Sequence, residues 1–295
     1  MSHLIVNADD FGVTAGVNRA VMELHAAGVL TSATLMARAA ATSEAVNMAR
    51  ATPSLGVGCH VVLVDGDPVL PPKKIPSLVE PRTGRFHPIL GAFLQRLLSG
   101  RIRSSEMQAE AAAQIALLQN AGVTLDHIDT HKHVHMFPEV LKPVLQAAVG
   151  CGIRSIRNPF EPAWSLSATP GAPWLRRAQV QLLRQFLPAF RKNVARAGLA
   201  STDGAVGVLA TGTLDAATVR SLLSSLPAGT WELVTHPGYN DADLAQAHTR
   251  LLASRETERD ALHALKDFPA IELISFADLR FGASATAEFV GAGKR

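Results

Sequence analysis

An α/β fold built on a mostly parallel sheet is what this sequence predicts, and three observations carry the prediction. Short β-branched runs alternate with longer helical stretches along the chain. Most of the short runs are followed by a helical one, the pattern of parallel strands joined by helical crossovers. Of the 295 residues, 47% are hydrophobic and 18% charged. That is ample for a buried core, and it excludes a disordered or fibrous protein.

Taken in order, the first strand is the apolar run 4–8, which ends in Asn7-Ala8-Asp9-Asp10-Phe11-Gly12 ahead of a helix at 15–28. A strand at 32–36 and a helix at 42–52 follow. The third strand, 56–63, holds Gly58-Cys59-His60 and opens into 65–88, where six prolines predict a long, irregular, lid-like excursion. A helix at 104–121 leads to the strand 125–130, which runs into Asp129-Thr130-His131-Lys132-His133-Val134-His135. The helix 138–150 and the strand 153–157 precede a second irregular loop, 159–173, with four prolines.

The helix 173–197 has Leu183, Phe186, Leu187, Phe190 and Val194 at helical spacing, and Arg177, Arg184 and Arg191 on another face. It reads as amphipathic with a solvated basic face and a kink at Pro188, and such a face also suits a membrane surface or a dimer contact. Strands at 205–210, 231–235 and 271–275 alternate with helices at 215–225 and 243–266. Eight strands is the number that closes a barrel, although an open doubly wound sheet fits the same count. With no internal repeat and no linker, 1–295 reads as one domain.

Several classes of function drop out. Lys and Arg number 28 against 25 Asp and Glu, a formal charge of +3, too small to argue for nucleic acid as a partner. Cys59 and Cys151 form no CxxC pair, which excludes a disulfide framework or a cysteine zinc site. No apolar run approaches the ~18 residues of a membrane span, and the start has no basic leader. The expected location is the cytoplasm.

The residues that carry chemistry cluster where predicted strands end: Asp9-Asp10, His60, the 129–135 run, and His236-Pro237-Gly238. In a parallel barrel all carboxyl ends of strands open on one face, so these clusters converge there. Each has a plainer alternative. Asp9-Asp10 could be a turn and helix cap, and His60 a core histidine. Adjacent carboxylates repel, however, and a cation beside them is the usual remedy. His131, His133 and His135 alternate, so in an extended segment they point to one side. The histidines at 3, 25, 87, 127, 248 and 263 read as structural. One Asp with two His is a recurring metal set that suits zinc, iron, cobalt, nickel or manganese, and magnesium less readily. A spare carboxylate supplies a general base and a histidine across the pocket a general acid, which points to metal-assisted hydrolysis.

These stretches resemble the YdjC-like (ChbG-like) carbohydrate deacetylases. The matching pieces are Val6 to Gly12, Thr31 to Thr34, Gly58 to Leu63, Asp129 to Pro138, and His236 to Tyr239, in order along residues 4 to about 280. Cys59 departs from the Leu or Met that is frequent in the family. The resemblance implies a TIM-like, distorted (β/α) barrel that removes N-acetyl groups from amino sugars, often as a homodimer. It implies one divalent metal ion, magnesium or zinc, on Asp10, His60 and His131. Asp9 would be the base that activates metal-bound water and His236 the acid that protonates the leaving amine. Expected substrate contacts are His133, His135, Arg157 and Asn158. The segment 64–79 is also similar to the hopanoid-associated HpnK branch, which implies a glycolipid substrate and peripheral membrane contact; chitooligosaccharides are the other substrate within the family. Outside it, the same residue types would serve a metallophosphoesterase or a catalytically silent sugar- or lipid-binding barrel.

Overall fold

The computed structural model describes residues 1–247 and 249–279; His248, read above as structural, and residues 280–295 of the expected domain lie outside the described residues. Eight strands run among the described residues: β1 (Ser2–Phe11), β2 (Ser32–Leu35), β3 (Gly56–Val61), β4 (His127–Thr130), β5 (Ser155–Ile156), β6 (Gly204–Val206), β7 (Gly229–Thr235) and β8 (Glu272–Leu273). Each overlaps a predicted strand. All their ladders are parallel, and the order is β5-β4-β3-β2-β1-β7-β6.

A strand has two edges, and β1 fills both. β7 takes one edge from Ser2 to Ala8. The other is shared, with β8 at His3 and Leu4 and β2 at Asn7, Ala8 and Phe11. The two ends of the path, β5 and β6, meet without a ladder. A bridge between Ser155 and Ala200, four residues ahead of β6, links the two edges, with the Asn158 amide donating to the carbonyls of Thr202 and Asp203, both at 3.1 Å. The sheet is therefore a distorted barrel with one stapled seam, and the open-sheet alternative falls away.

The helices around it are α1 (Ala15–Ala26), α2 (Thr42–Ala51), α3 (Leu90–Leu98), α4 (Ser104–Asn120), α5 (Pro138–Gly150), α6 (Ala163–Ala168), α7 (Trp174–Leu183), α8 (Leu187–Ala197), α9 (Ala216–Ser224), α10 (Ala242–Gln246) and α11 (Ala253–Ala261). The short helices α3 and α6 border or interrupt the proline-rich loops and were not anticipated. The expected helix 243–266 divides into α10, α11 and a 3-10 turn at Leu262–Asp267. The expected helix 173–197 divides as well. Arg184–Phe186 tightens to 3-10, and Pro188 falls in the first turn of α8, where its missing N–H costs no hydrogen bond.

The basic face of that segment is corrected in part. Arg177 donates to the carbonyls of Ala172, Leu166 and Thr169, Arg184 to that of Glu161, and Arg191 reaches the carbonyl of Asp203 at 3.4 Å. Arg177 and Arg184 cap loop carbonyls, Arg191 stays exposed as the solvated face requires, and Trp174, Leu175 and Leu182 also face outward. No described helix is long and apolar enough to cross a membrane.

The irregular excursion is tied to one stripe of α4. Glu110 accepts from the N–H groups of Val69 and Leu70 at 2.8 and 3.0 Å. Glu106 accepts from the backbone and hydroxyl of Ser77, both at 2.7 Å. Gln114 bonds both backbone groups of Val62 at 2.8 and 2.7 Å. A spacing of four keeps these three side chains on one helix face. Ile75, Leu78, Val79 and Phe86 of the excursion are buried beneath.

Strand alternation decides what fills the barrel. Leu4, Val6, Ala8, Ala33, Leu35, Val57, Cys59, Val61, Ile128, Ile156 and Leu233 belong to the hydrophobic core. The intervening residues Asn7, Asp9, Thr34, His60, Asp129 and Glu232 are buried and polar, and they turn to the lumen. At the amino end of the strands His127 stacks on Phe276, with centroids 3.8 Å apart and planes at 12°. Gly58 leaves the room for that ring, because a Cβ there would stand 2.5–2.7 Å from three of its atoms.

Gly58→Ala is therefore expected to destabilise the protein by about 1–3 kcal/mol, as overpacking does. The drop is read from the urea midpoint.

Candidate active site

Arg157 follows β5, is 0% exposed, and reaches across the lumen. Its Nε donates to Glu232 Oε1 at 2.8 Å, and its two terminal nitrogens take Asp9 in a fork at 2.6 and 2.9 Å. Nη1 also bonds Asp129. One guanidinium thus ties the ends of β1, β4 and β5 to the middle of β7. Burial pushes the Asp9 carboxyl up, but Arg157, with His60 and His236 behind it, holds it well below the usual carboxylate range. At Glu232 burial prevails and the pKa is raised.

The other carboxylate of the pair is aimed elsewhere. Asp10 has a positive φ of 65°, which swings its side chain out of the strand pattern. Its Oδ1 lies 3.6 Å from His60 Nε2 and 3.5 Å from His131 Nδ1, and the two ring nitrogens are 3.3 Å apart. Two atoms bonded at about 2.0–2.2 Å to one ion, at tetrahedral angles, stand about 3.3–3.6 Å apart. The donor set therefore fits a divalent cation in both distance and chemistry. His60 Nδ1 is bonded to Asp129 at 2.7 Å, which directs the Nε2 lone pair into the triangle, as an outer carboxylate does for ligating histidines. Burial opposes a charged ring at His60, yet Asp129, Asp9 and Asp10 hold its pKa up at about 9. The field that stabilises that proton also favours a cation. Asp9, His60 and Asp129 form a second potential cluster, but Arg157 already takes the place of a cation there.

The expected alternation of histidines fails, because Lys132 and His133 both sit in the left-handed region, at φ 58° and 52°. That elbow sends the three rings to three places. His131 joins the triangle. His133 lines a cavity of about 140 Å³ with Met136, Phe160 and Glu161, and burial, with Arg157 nearby, keeps it neutral at a pKa of about 3. His135 is 0% exposed and bonds Thr130 Oγ1 at 2.6 Å and the carbonyl of Arg157 at 3.3 Å, so it braces the turn and meets no substrate. Arg157 and Asn158 are corrected on the same ground. The first is enclosed by three carboxylates, the second is 1% exposed and spent on the seam, and neither presents a surface to a ligand.

His236, after β7, places Nε2 3.8 Å from Asp9 Oδ2. Its backbone N–H donates to Glu258 Oε2 at 2.6 Å, and its Nδ1 lies 3.6 Å from the same oxygen. Burial works against a charged imidazole, but Glu258 and Asp9 outweigh it and raise the pKa. A further buried charge at the site is Arg255, which donates to Asp10 Oδ2 at 2.5 Å.

Four of these residues escaped the sequence reading. Asp129 lay inside a quoted motif. Glu232 had a usable signal, a lone acid amid the apolar residues of a strand. Arg255 and Glu258 sit in Ala-Ser-Arg-Glu-Thr-Glu-Arg-Asp-Ala, where charge is the rule and marks nothing.

The profile of the family described as YdjC-like protein matches residues 3–266. A carbohydrate deacetylase of Thermoanaerobacter pseudethanolicus is 28% identical over 90% of this chain and 95% of its own. One from Brevibacillus brevis is 43% identical over 49% of this chain and 55% of its own, about half its length. Among solved structures, a protein of Enterococcus faecalis named for cellobiose-phosphate cleavage superposes with a TM-score of 0.74 at 25% identity, covering 93% of this chain and 97% of that one.

Zinc at about a hundred times its Kd should stabilise the fold by about 2.7 kcal/mol. The thermal midpoint of the wild type is expected to rise with zinc, and that of His131→Ala to stay where it is.

Proposed function

The chain belongs to the YdjC-like protein family, and from that premise we propose that it is a hydrolase that removes the N-acetyl group from an acetylated amino sugar. The observation that carries this reading is the placement of Asp9 and His236 as a facing acid–base pair beside the Asp10, His60 and His131 triangle. When bound there, a divalent cation would lower the pKa of water toward ~7 and polarise an acetamide carbonyl. Two nitrogen donors in three suit zinc better than magnesium.

The protein's own groups divide the proton work. Asp9 Oδ1 already accepts from Arg157, Asn7 and Thr34, whereas Oδ2 accepts from Arg157 alone. Oδ2 is therefore the atom that takes the proton of the attacking water. Arg157 makes Asp9 a weak base, so the proton does not remain on it. His236 Nε2, 3.8 Å away, gives its own proton to the amine nitrogen as the C–N bond breaks, and then recovers one from Asp9. The products are acetate and the free amino sugar, and both side chains return to their starting charge.

Of the family's two substrates, the glycolipid draws no support from Arg177 and Arg184 of the 173–197 segment, which are occupied by loop carbonyls. The assay offers N-acetylglucosamine, diacetylchitobiose and an N-acetylglucosaminyl lipid, with EDTA or with added zinc or magnesium, and measures acetate. Metal-dependent acetate from any of them is expected, and none from the metal-loaded protein overturns the proposal. Asp9→Asn should keep its metal and lose about 10²–10⁴ in rate.

His236 gives the pH dependence. Its folded pKa is raised above 6.5, so the acid form is complete below that value and is lost as pH rises through the raised one. Wild-type activity should fall on that alkaline side, and His236→Gln, slowed by about 10²–10⁴, should lack this limb.

A further inference from the structure

Asp10 is divided between two partners. Oδ1 faces the two histidine nitrogens of the triangle, and Oδ2 is held at 2.5 Å by Arg255 Nη2. A free carboxylate can chelate a cation through both oxygens or bind it through one. We propose that Arg255 is a positioning residue that keeps Asp10 a single-oxygen ligand, so that coordination positions stay open for water and for the acetamide oxygen. The inference rests on the reading of Asp10, His60 and His131 as metal ligands.

The guanidinium is built into place. Arg255 lies on α11 and is 1% exposed, and its Nε donates to the carbonyl of Leu251 at 3.0 Å. Its own carbonyl accepts from the N–H of Gly238 at 3.2 Å. A Cβ at Gly238 would lie 3.0 Å from Arg255 Cδ and 3.3 Å from its Cβ, so the glycine after His236-Pro237 leaves the channel through which the side chain passes. The Asp10 backbone turns at φ 65°, and its carboxylate lies between the histidines and the arginine. A charge-assisted bond of this length is among the strong ones, and it occupies the oxygen that chelation would need. Arg255 also draws charge from the carboxylate, which leaves a bound cation the stronger Lewis acid.

The test loads the full chain with cobalt(II) at saturation and records its visible absorption, which is strong for four- or five-coordinate ions and weak for six-coordinate ones. Arg255→Met removes the donor and keeps the stem. It is expected to lose several-fold in band intensity and 10–100-fold in acetate release at saturating metal, with Arg255→Lys restoring part of both. Arg255→Gln, which likewise removes the guanidinium from Asp10, should shift the spectrum in the same direction, and it serves if Arg255→Met does not fold. A folded Arg255→Met or Arg255→Gln protein with the wild-type spectrum overturns the proposal, whatever its thermal stability. Failure of the wild type to bind cobalt overturns the metal reading instead, so the two failures are distinct.

Discussion

Everything in this barrel depends on one buried guanidinium. Strand alternation sends acids into the lumen from β1, β4 and β7, where an aliphatic layer would ordinarily sit. Three carboxylates at that depth are untenable alone, because the penalty for an unpaired buried ion is several kcal/mol. Arg157 resolves this by bonding Glu232, Asp9 and Asp129 at once with a planar set of donors that lysine does not possess. The interaction that fills the lumen also fixes which oxygen of Asp9 carries the fewer bonds.

Counting charge carries the argument to the site. Asp9, Asp10, Asp129, Glu232 and Glu258 are buried around it, against Arg157 and Arg255. Five acids against two guanidiniums leave three negative charges if all are ionised. An imidazolium at His236 and a divalent cation on the triangle supply three positive ones. The two raised histidine pKa values and the triangle's spacing are thus expressions of one excess of negative potential, and each cation has its own acid behind it: Asp129 behind His60, Glu258 behind His236. That arrangement keeps His236, the proposed acid, apart from the proposed metal triangle although they share the same field.

Much of this was legible in the sequence, and the reason is geometric. β-branched runs mark the strands, and parallel topology alone brings Asp9, Asp10, His60, His131 and His236 to one rim. What could not be read depends on backbone or side-chain reach. The Lys132-His133 elbow cancels the alternation on which the grouping of three histidines relied. Arg157 and Asn158 stand at a strand end like the residues of the rim cluster, but one is long enough to turn down the lumen and the other meets the seam. Periodicity tells which residues share a face, and not what that face meets, so it does not show that Arg177 and Arg184 turn to loop carbonyls. Arg255 and Glu258 lie far along the chain in a charged helix, and only the approach of α11 to the rim distinguishes them.

The strained backbone lies where that approach matters. Asp10, Lys132 and His133 are three of the four non-glycine residues with positive φ among the described residues, and the fourth, Asp65, is bonded to Lys132 at 2.8 Å. Each such residue costs on the order of 1–3 kcal/mol and persists only when its surroundings over-determine it. Here they do. Arg255 and the histidines fix Asp10, and the Asp65 ion pair and the His135 brace fix the elbow on both sides. An unstrained β1 end would aim Asp10 along the strand pattern, away from His60 and His131. An extended chain after β4 would carry His133 to the same side as His131, into the space a substrate needs. The strain is what converts a rim of suitable residues into one three-donor site with an open side.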